Sequence, residues 1–480
     1  MDNEKLKLSA LGIQCLATFC ISFLASQTGF ICAWPSYTVE NFQSNTTILN
    51  RPMNSVDISL LGGLPNLGGL VVTPFCGYLF NTLGRKYATI MFGLPYMLAW
   101  IIVAITKSVP MILIAMTIGG IGIAGQNVSL IFIAEIAHDS VRGGLTACSA
   151  SGYFLGILIS YILGGYLNYY QVVYTHLILS VVCVAALFLL EESPVYLVLV
   201  GKEEEAAKAI AFYNQVDVTS KRVTIEIRKI KIQLDPRLEK ILENGKDAGL
   251  SEELLKIKLG DVVETHKESS WKIFKKSKSS KRALTAVLIV IALTVMMGAV
   301  VLQVYAETLF KEAVPLMSSN LCAIFLAVDF TLASVVCVLV IDKFGRKRLL
   351  AVTSALSGVC TLLLATQLQL HWAPHWFTVL LIYLYTFIYT VGCAVIPFVL
   401  AAEVFLPEVR GFCNSIAMGF VWVVNFITLF IFNPVVDNYG LVPVFYFFSA
   451  VCFLGNVYAI LKLPETKGLS ADAIQSLFLK

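Results

Sequence analysis

Glu135 stands seven residues before Arg142-Gly143, and Glu403 stands seven residues before Arg410-Gly411. Gly84-Arg85-Lys86 is repeated as Gly345-Arg346-Lys347, and Glu192-Ser193-Pro194 has a looser counterpart in Pro464-Glu465-Thr466. The copies follow in the same order, about 270 residues apart. Carboxylates and guanidinium groups at such positions can form ion pairs that, partly desolvated, are worth more than surface pairs and yet break at modest net energy. That chemistry suits a latch. His138, His176, His371 and His375 belong to no Ser/His/Asp set, and no P-loop or metal-ligand spacing is in view. The sequence therefore implies neither an enzyme nor a metal or cofactor site.

Matched offsets in two apolar halves imply an internal duplication, the architecture of a solute transporter. The chain has 480 residues, 58% hydrophobic, with a mean hydropathy of +0.79. Charged residues make up 14%, against about 25% in a soluble domain. Apolar runs of about 20 residues, enough to cross the hydrocarbon core as helix, lie near 8–34, 58–80, 87–105, 110–133, 145–167 and 172–190. Six more lie near 283–308, 318–341, 349–370, 376–402, 411–435 and 441–463. The expected fold is all-α and polytopic, with twelve transmembrane helices in two pseudo-symmetric six-helix bundles. Residues 1–190 form the first bundle, 191–282 a cytoplasmic helical linker, 283–463 the second bundle and 464–480 a short cytoplasmic tail.

Orientation follows from the loops. More than half of the 35 Lys and Arg fall within 191–282, and Arg85, Lys86, Lys343, Arg346, Lys347 and Arg348 share that side. The positive-inside rule makes it cytoplasmic, with both termini there. The opening MDNEKLKLSALG has no cleavage-site pattern, so the first apolar run reads as a retained helix. The net charge of +4 is largely balanced and gives no support for nucleic-acid binding. The twelve cysteines lie in or beside apolar segments and read as core residues.

Within the linker, 202–215, 222–234 and 251–259 have the spacing of short amphipathic helices. A basic run from Lys272 to Arg282 leads into the seventh crossing and reads first as a solvated tether near acidic lipid heads. Asn45-Thr46-Thr47 in the outer loop is a glycosylation acceptor pattern, whereas Asn127-Val128-Ser129 lies inside the fourth crossing. Gly62, Gly63, Gly68, Gly69, Gly119, Gly120, Gly122 and Gly125 read as close-packing positions. Pro35, Pro65, Pro74, Pro397 and Pro434 are candidate kinks.

NTLGRK (81–86), AEIAHDSVRG (134–143), EESP (191–194), DKFGRK (342–347), AAEVFLPEVRG (401–411) and LPETKG (463–468) together resemble the sugar porter group of the major facilitator superfamily. The resemblance covers essentially the whole chain, and within the group it is strongest to insect facilitated trehalose transporters. It implies that Glu135, Arg142, Glu403 and Arg410, with Gly84, Arg85, Gly345 and Arg346, lock the cytoplasmic side when the cavity faces outward. Topology anchoring alone would explain the Arg and Lys but not the matched Glu. Asp342 keeps the family's acid in the second half, while Asn81 replaces it in the first.

The resemblance thins at the solute site. Ala150 stands where the family has a Gln, Thr294, Val295, Met296, Met297 and Val300 replace an amide-rich run, and Phe330 replaces an Asn. Sugars need many directional hydrogen bonds, because a buried unpaired hydroxyl costs several kilocalories. The losses imply weak sugar binding, a different solute or a rearranged site. Gln27, Gln303, Tyr305, Thr390 and Asn425 remain as polar candidates, with Phe398 and Trp422 at positions where the family stacks aromatics on the sugar. Helix–helix bonding is the competing role for each. Asp329 within the eighth crossing reads either as a polar or proton relay or as an acid satisfied by a neighbour.

The expected function is transport of a sugar, a hexose or trehalose-like disaccharide, across the plasma membrane by a monomer. Gln27 occupies the position of the proton-coupled members' Asp and cannot titrate, which favours facilitated diffusion. Proton symport, a less hydroxylated solute and a non-transporting nutrient receptor are the alternatives.

Overall fold

The computed structural model describes residues 8–138, 140–234, 270–467, 469 and 471–478. The first half contains α1 (Leu8–Gln43), α2 (Ser55–Val72), a 3-10 turn (Thr73–Phe75), α3 (Cys76–Leu83), α4 (Arg85–Ile105), α5 (Val109–Ile123), α6 (Gln126–Ile136), α7 (Arg142–Tyr166) and α8 (Tyr169–Phe188). Then come α9 (Pro194–Leu199), α10 (Glu203–Asn214), α11 (Lys221–Leu234) and α12 (Ser270–Lys276). The second half contains α13 (Lys278–Met296), α14 (Ala299–Val304), α15 (Ala306–Ala313), α16 (Ser319–Phe344), α17 (Arg346–Leu370), α18 (His375–Val391), α19 (Ile396–Val404), α20 (Pro407–Tyr439), α21 (Leu441–Leu461) and a last helix, α22 (Ala471–Leu477).

Hydrocarbon offers backbone groups no water, so the apolar runs close their hydrogen bonds internally as helices. Among the described residues, eleven helical runs, taking 55–83 and 375–404 as continuous, are long and apolar enough to cross a membrane. The shorter α5 passes through Ala124 and Gly125 into α6, and the two complete a twelfth crossing. Pro35, Pro65 and Pro434 lie inside helices, as does Pro95 of α4, which the sequence reading left out. Pro74 occupies the 3-10 turn and Pro397 the first turn of α19. Both prolines sit where the chain changes helix.

Within the first half α1 packs on α7, α2 on α5, and α4 on α5 and α8; within the second, α17 packs on α18 and α21. The halves meet along two equivalent seams, α2 against α20 and α7 against α16. A Cβ at Gly68 would stand 2.1 Å from the Thr117 carbonyl, and one at Gly120 2.1 Å from that of Pro65. Glycine therefore lets α2 and α5 pack backbone on backbone.

The helices α9, α10 and α11 share a small core of Leu197, Val198, Ala206, Ile210, Val223 and Ile230. Tyr213 fastens it to the first half: its hydroxyl donates to the Glu191 carbonyl at 2.5 Å, and its own carbonyl accepts from Gln14 Nε2 at 3.2 Å. α10 and α11 match the expected linker helices to within two residues, while the expected helix at 251–259 lies outside the described residues.

Candidate functional site: paired carboxylate–arginine clusters

The duplicated motifs converge on one face of the membrane domain as two copies of one cluster. In the first, Arg85 opens α4 and forks onto Glu135 at the end of α6, Nε to Oε2 and Nη2 to Oε1, both at 2.9 Å. Such a bidentate pair is strong and directional. The Ser193 hydroxyl donates to the same carboxylate, and the Tyr196 ring lies 5.2 Å from the guanidinium carbon. Behind the pair, Glu192 Oε1 accepts the backbone N–H groups of Arg85 (2.8 Å), Lys86 (3.0 Å) and Ser193 (2.7 Å). A carboxylate there caps the positive end of α4. Burial pushes the Glu192 carboxyl up from its ordinary value, against the downward pull of those three amides and of Arg85.

The second copy repeats the core of this arrangement. Arg346 donates through Nε (3.1 Å) and Nη2 (2.7 Å) to Glu403 Oε1, and the Thr466 hydroxyl donates to Oε2 at 2.7 Å. Glu465 Oε1 accepts the amides of Arg346 (2.8 Å), Thr466 (3.1 Å) and Lys467 (3.2 Å). The glycines before both arginines are required by geometry: Gly84 has φ +87° and Gly345 φ +81°. A Cβ on Gly84 would stand 2.3 Å from Glu192 Oε2, and one on Gly345 2.7 Å from Glu465 Oε2.

Among the described contacts, Glu135 and Glu403 bind Arg85 and Arg346. The helix breaks after Ile136 and again after Val404, and there Arg142 Nη2 donates to the Ala137 carbonyl at 3.3 Å. Arg410 donates equivalently to the Phe405 carbonyl at 3.4 Å. The Arg85–Glu135 and Arg346–Glu403 pairs each join residues of one half. Asn81 is exposed on α3, and the side chain of Asp342 lies outside the described residues. Glu192, Ser193, Glu465 and Thr466 received no role from sequence, although their recurrence was the signal that could have assigned one.

Bonds between the halves gather at the middle and toward the opposite face. Tyr153 donates to Gln303 Oε1 at 2.9 Å and Tyr161 to the Gln303 carbonyl at 2.6 Å. Tyr305 donates to the Ile58 carbonyl at 3.1 Å, and Asn433 to the Ser59 hydroxyl at 3.3 Å. Ser36 Oγ accepts the Glu307 amide at 2.9 Å, Lys311 pairs with Glu40 at 2.5 Å, and Ser55 donates to Asp437. Near the middle, Trp422 Nε1 donates to Thr73 Oγ1 at 2.9 Å, and Phe154 stacks on Phe330 across the α7–α16 seam.

The candidate solute residues therefore divide. Gln27 is buried between α1 and α8, accepting from the Ser180 hydroxyl at 2.7 Å and donating to the Leu179 carbonyl at 3.4 Å, the helix–helix bonding that competes with a solute contact. Gln303 and Tyr305 hold the halves together, and Trp422 spans them. Thr390 is buried and its hydroxyl has no partner, Asn425 is half-buried, and Phe398 is exposed. Asp329, on α16, accepts from Thr386 of α18 at 2.7 Å, a bond within the second half. Asn45 is exposed in the loop after α1.

A family model described as "Sugar (and other) transporter" matches residues 13–478. Among curated proteins the chain is 26% identical over 469 residues to a facilitated trehalose transporter, Tret1, of Polypedilum vanderplanki, covering 96% of this chain and 87% of that one. It is 24% identical to the Tret1 of Culex quinquefasciatus, covering 96% and 85%. Among solved structures it superposes on a partially occluded, inward-open conformation of the xylose transporter XylE of E. coli, with a TM-score of 0.75, 18% identity, and 96% and 100% of the two chains covered. The last likeness carries the fold alone.

Proposed function

The chain belongs to the sugar (and other) transporter family, and from that premise we propose that it carries a hexose or trehalose-like disaccharide down its gradient by alternating access. Two six-helix bundles, 1–190 and 283–463, would rock about the α2–α20 and α7–α16 seams. The 191–282 linker and the tail would lie on the cytoplasmic side of the plasma membrane.

The observation that carries this reading is the segregation of bonds. Among the described residues those between halves lie at the middle, Ser151–Ser334 included, and toward the face opposite the motifs, while the Arg85–Glu135 and Arg346–Glu403 pairs each close within one half. That is the pattern of a path shut outside, with two preformed inner gate posts: Gly84, Arg85, Glu135 and Arg142, and Gly345, Arg346, Glu403 and Arg410. Asn425, Trp422, Thr390 and Phe398 are the proposed solute contacts. Facilitated diffusion is favoured because Gln27 carries no proton and Asp329 bonds within the second half.

A second reading, a less hydroxylated solute, is favoured by one observation. Phe330 fills the middle of the α7–α16 seam against Phe154 where a sugar site would present amides. Counterflow of labelled trehalose and glucose in proteoliposomes tests both readings. Saturable exchange supports sugar transport, and accumulation only under an imposed proton gradient indicates symport. Binding without exchange would leave a receptor.

A further inference from the structure

The beginning of α13 carries a surface that the transport reading does not use. Lys275, Lys276, Lys278, Lys281 and Arg282 are all exposed within eight residues, immediately before the apolar part of that crossing. Trp271 is 56% exposed on α12, and its ring and that of Phe274 each pack 5.5 Å from Phe412. Phe412 lies two residues beyond Arg410. The same surface is wired to the second carboxylate–arginine cluster. Arg282 donates to the Phe478 carbonyl at 3.1 Å and Ser280 to Gln475 Oε1 at 3.4 Å, so α13 holds α22. Gln475, 5% exposed, donates in turn to the Val404 carbonyl at 2.6 Å, next to Glu403.

We propose that this surface binds anionic phospholipid headgroups of the adjoining leaflet and that the bound lipid steadies the Glu403–Arg346 gate post through α12 and α22. Lys275, Lys278 and Lys281 place exposed like charges at the start of the crossing, where an anionic leaflet attracts basic side chains. Exposed Trp beside clustered Lys is the composition of an interfacial anchor. A topology anchor alone would need the charges but neither the aromatic packing on Phe412 nor the buried Gln475 link. The binding claim stands on the surface itself, while its effect on the gate rests on the transport reading.

The test uses the full purified chain. In detergent, phosphatidylserine added in place of phosphatidylcholine should raise the melting temperature. In proteoliposomes it should raise the exchange rate several-fold. A combined Lys275→Gln, Lys278→Gln, Lys281→Gln variant should lose both responses. A charge-matched Lys202→Gln, Lys208→Gln, Lys221→Gln variant should keep them. The proposal is overturned if the first variant responds as the unaltered chain does, if the second loses as much, or if soluble glycerophosphoserine acts as well as the lipid. Melting does not require transport, so a lipid-dependent melting shift without exchange would support the surface and contradict the sugar reading.

Discussion

Arg85 gives its backbone N–H to Glu192 at 2.8 Å while its guanidinium holds Glu135, so one residue ties the start of α4 to the end of α6 and to the turn before α9. Arg346 does the same for Glu465 and Glu403. Each cluster thus joins three chain segments and can move as a unit with its own bundle.

Gly84→Ala and Gly345→Ala should each destabilise by about 1–3 kcal/mol, since both positions occupy backbone regions nearly confined to glycine. The displaced Glu192 or Glu465 carboxylate adds to that. Gly143 and Gly411 lie in helices with nothing within 4 Å of a built Cβ, so alanine there should be neutral or slightly stabilising. Thermal melting of the purified variants checks the contrast, and equal effects at all four would refute it.

Arg85→Gln should cost about 3–5 kcal/mol because it strands the partly buried Glu135 carboxylate. Combining it with Glu135→Gln should cost less than the two single changes summed. Arg85→Lys should rescue only in part, since an ammonium cannot reproduce the two-bond fork. Additive losses in the double variant would contradict the pairing.

Glu192 sets a pH dependence of definite sign. Its carboxyl titrates above the ordinary Glu value because of burial. Its contribution is therefore fully present below the ordinary value, near pH 4.3, and is lost as pH rises through the elevated value. Relative to Glu192→Gln, the unaltered chain should lose melting temperature as pH rises from about 4 toward neutrality. A gain over that range would reverse the assignment.

The helices were legible because lipid demands long apolar runs, and the charge-rich loops between them are unmistakable. The boundaries were less so: α1 runs to Gln43, beyond the expected 34, because Trp34 and Phe42 continue its buried face. Repetition singled out Arg85, Glu135, Arg346 and Glu403 as a set but not who binds whom: the described partner of Glu135 comes from α4, fifty residues earlier. The bonds of Gln27 were illegible for a related reason, since nothing in a sequence says which face of α1 meets α8. Tyr153 and Tyr161 carried no signal at all, because a bond to Gln303 exists only once two bundles meet.

Tyr161→Phe removes one bond between the halves, worth about 0.5–1.5 kcal/mol, and should tilt the chain several-fold toward an open outer mouth. A Ser59→Cys reporter, buried at the α2–α20 seam in this structure, should then react faster with a membrane-impermeant thiol reagent added outside. An unchanged labelling rate would remove Tyr161 from the closure.

The account turns on two equivalent gate posts facing each other across one mouth. Spin labels at Gly143→Cys and Gly411→Cys, in a background cleared of exposed thiols, report the separation of α7 and α20 directly. Two distance populations whose ratio shifts when trehalose or glucose is added are the predicted result. A single distance unaffected by either sugar would contradict alternating access in this chain.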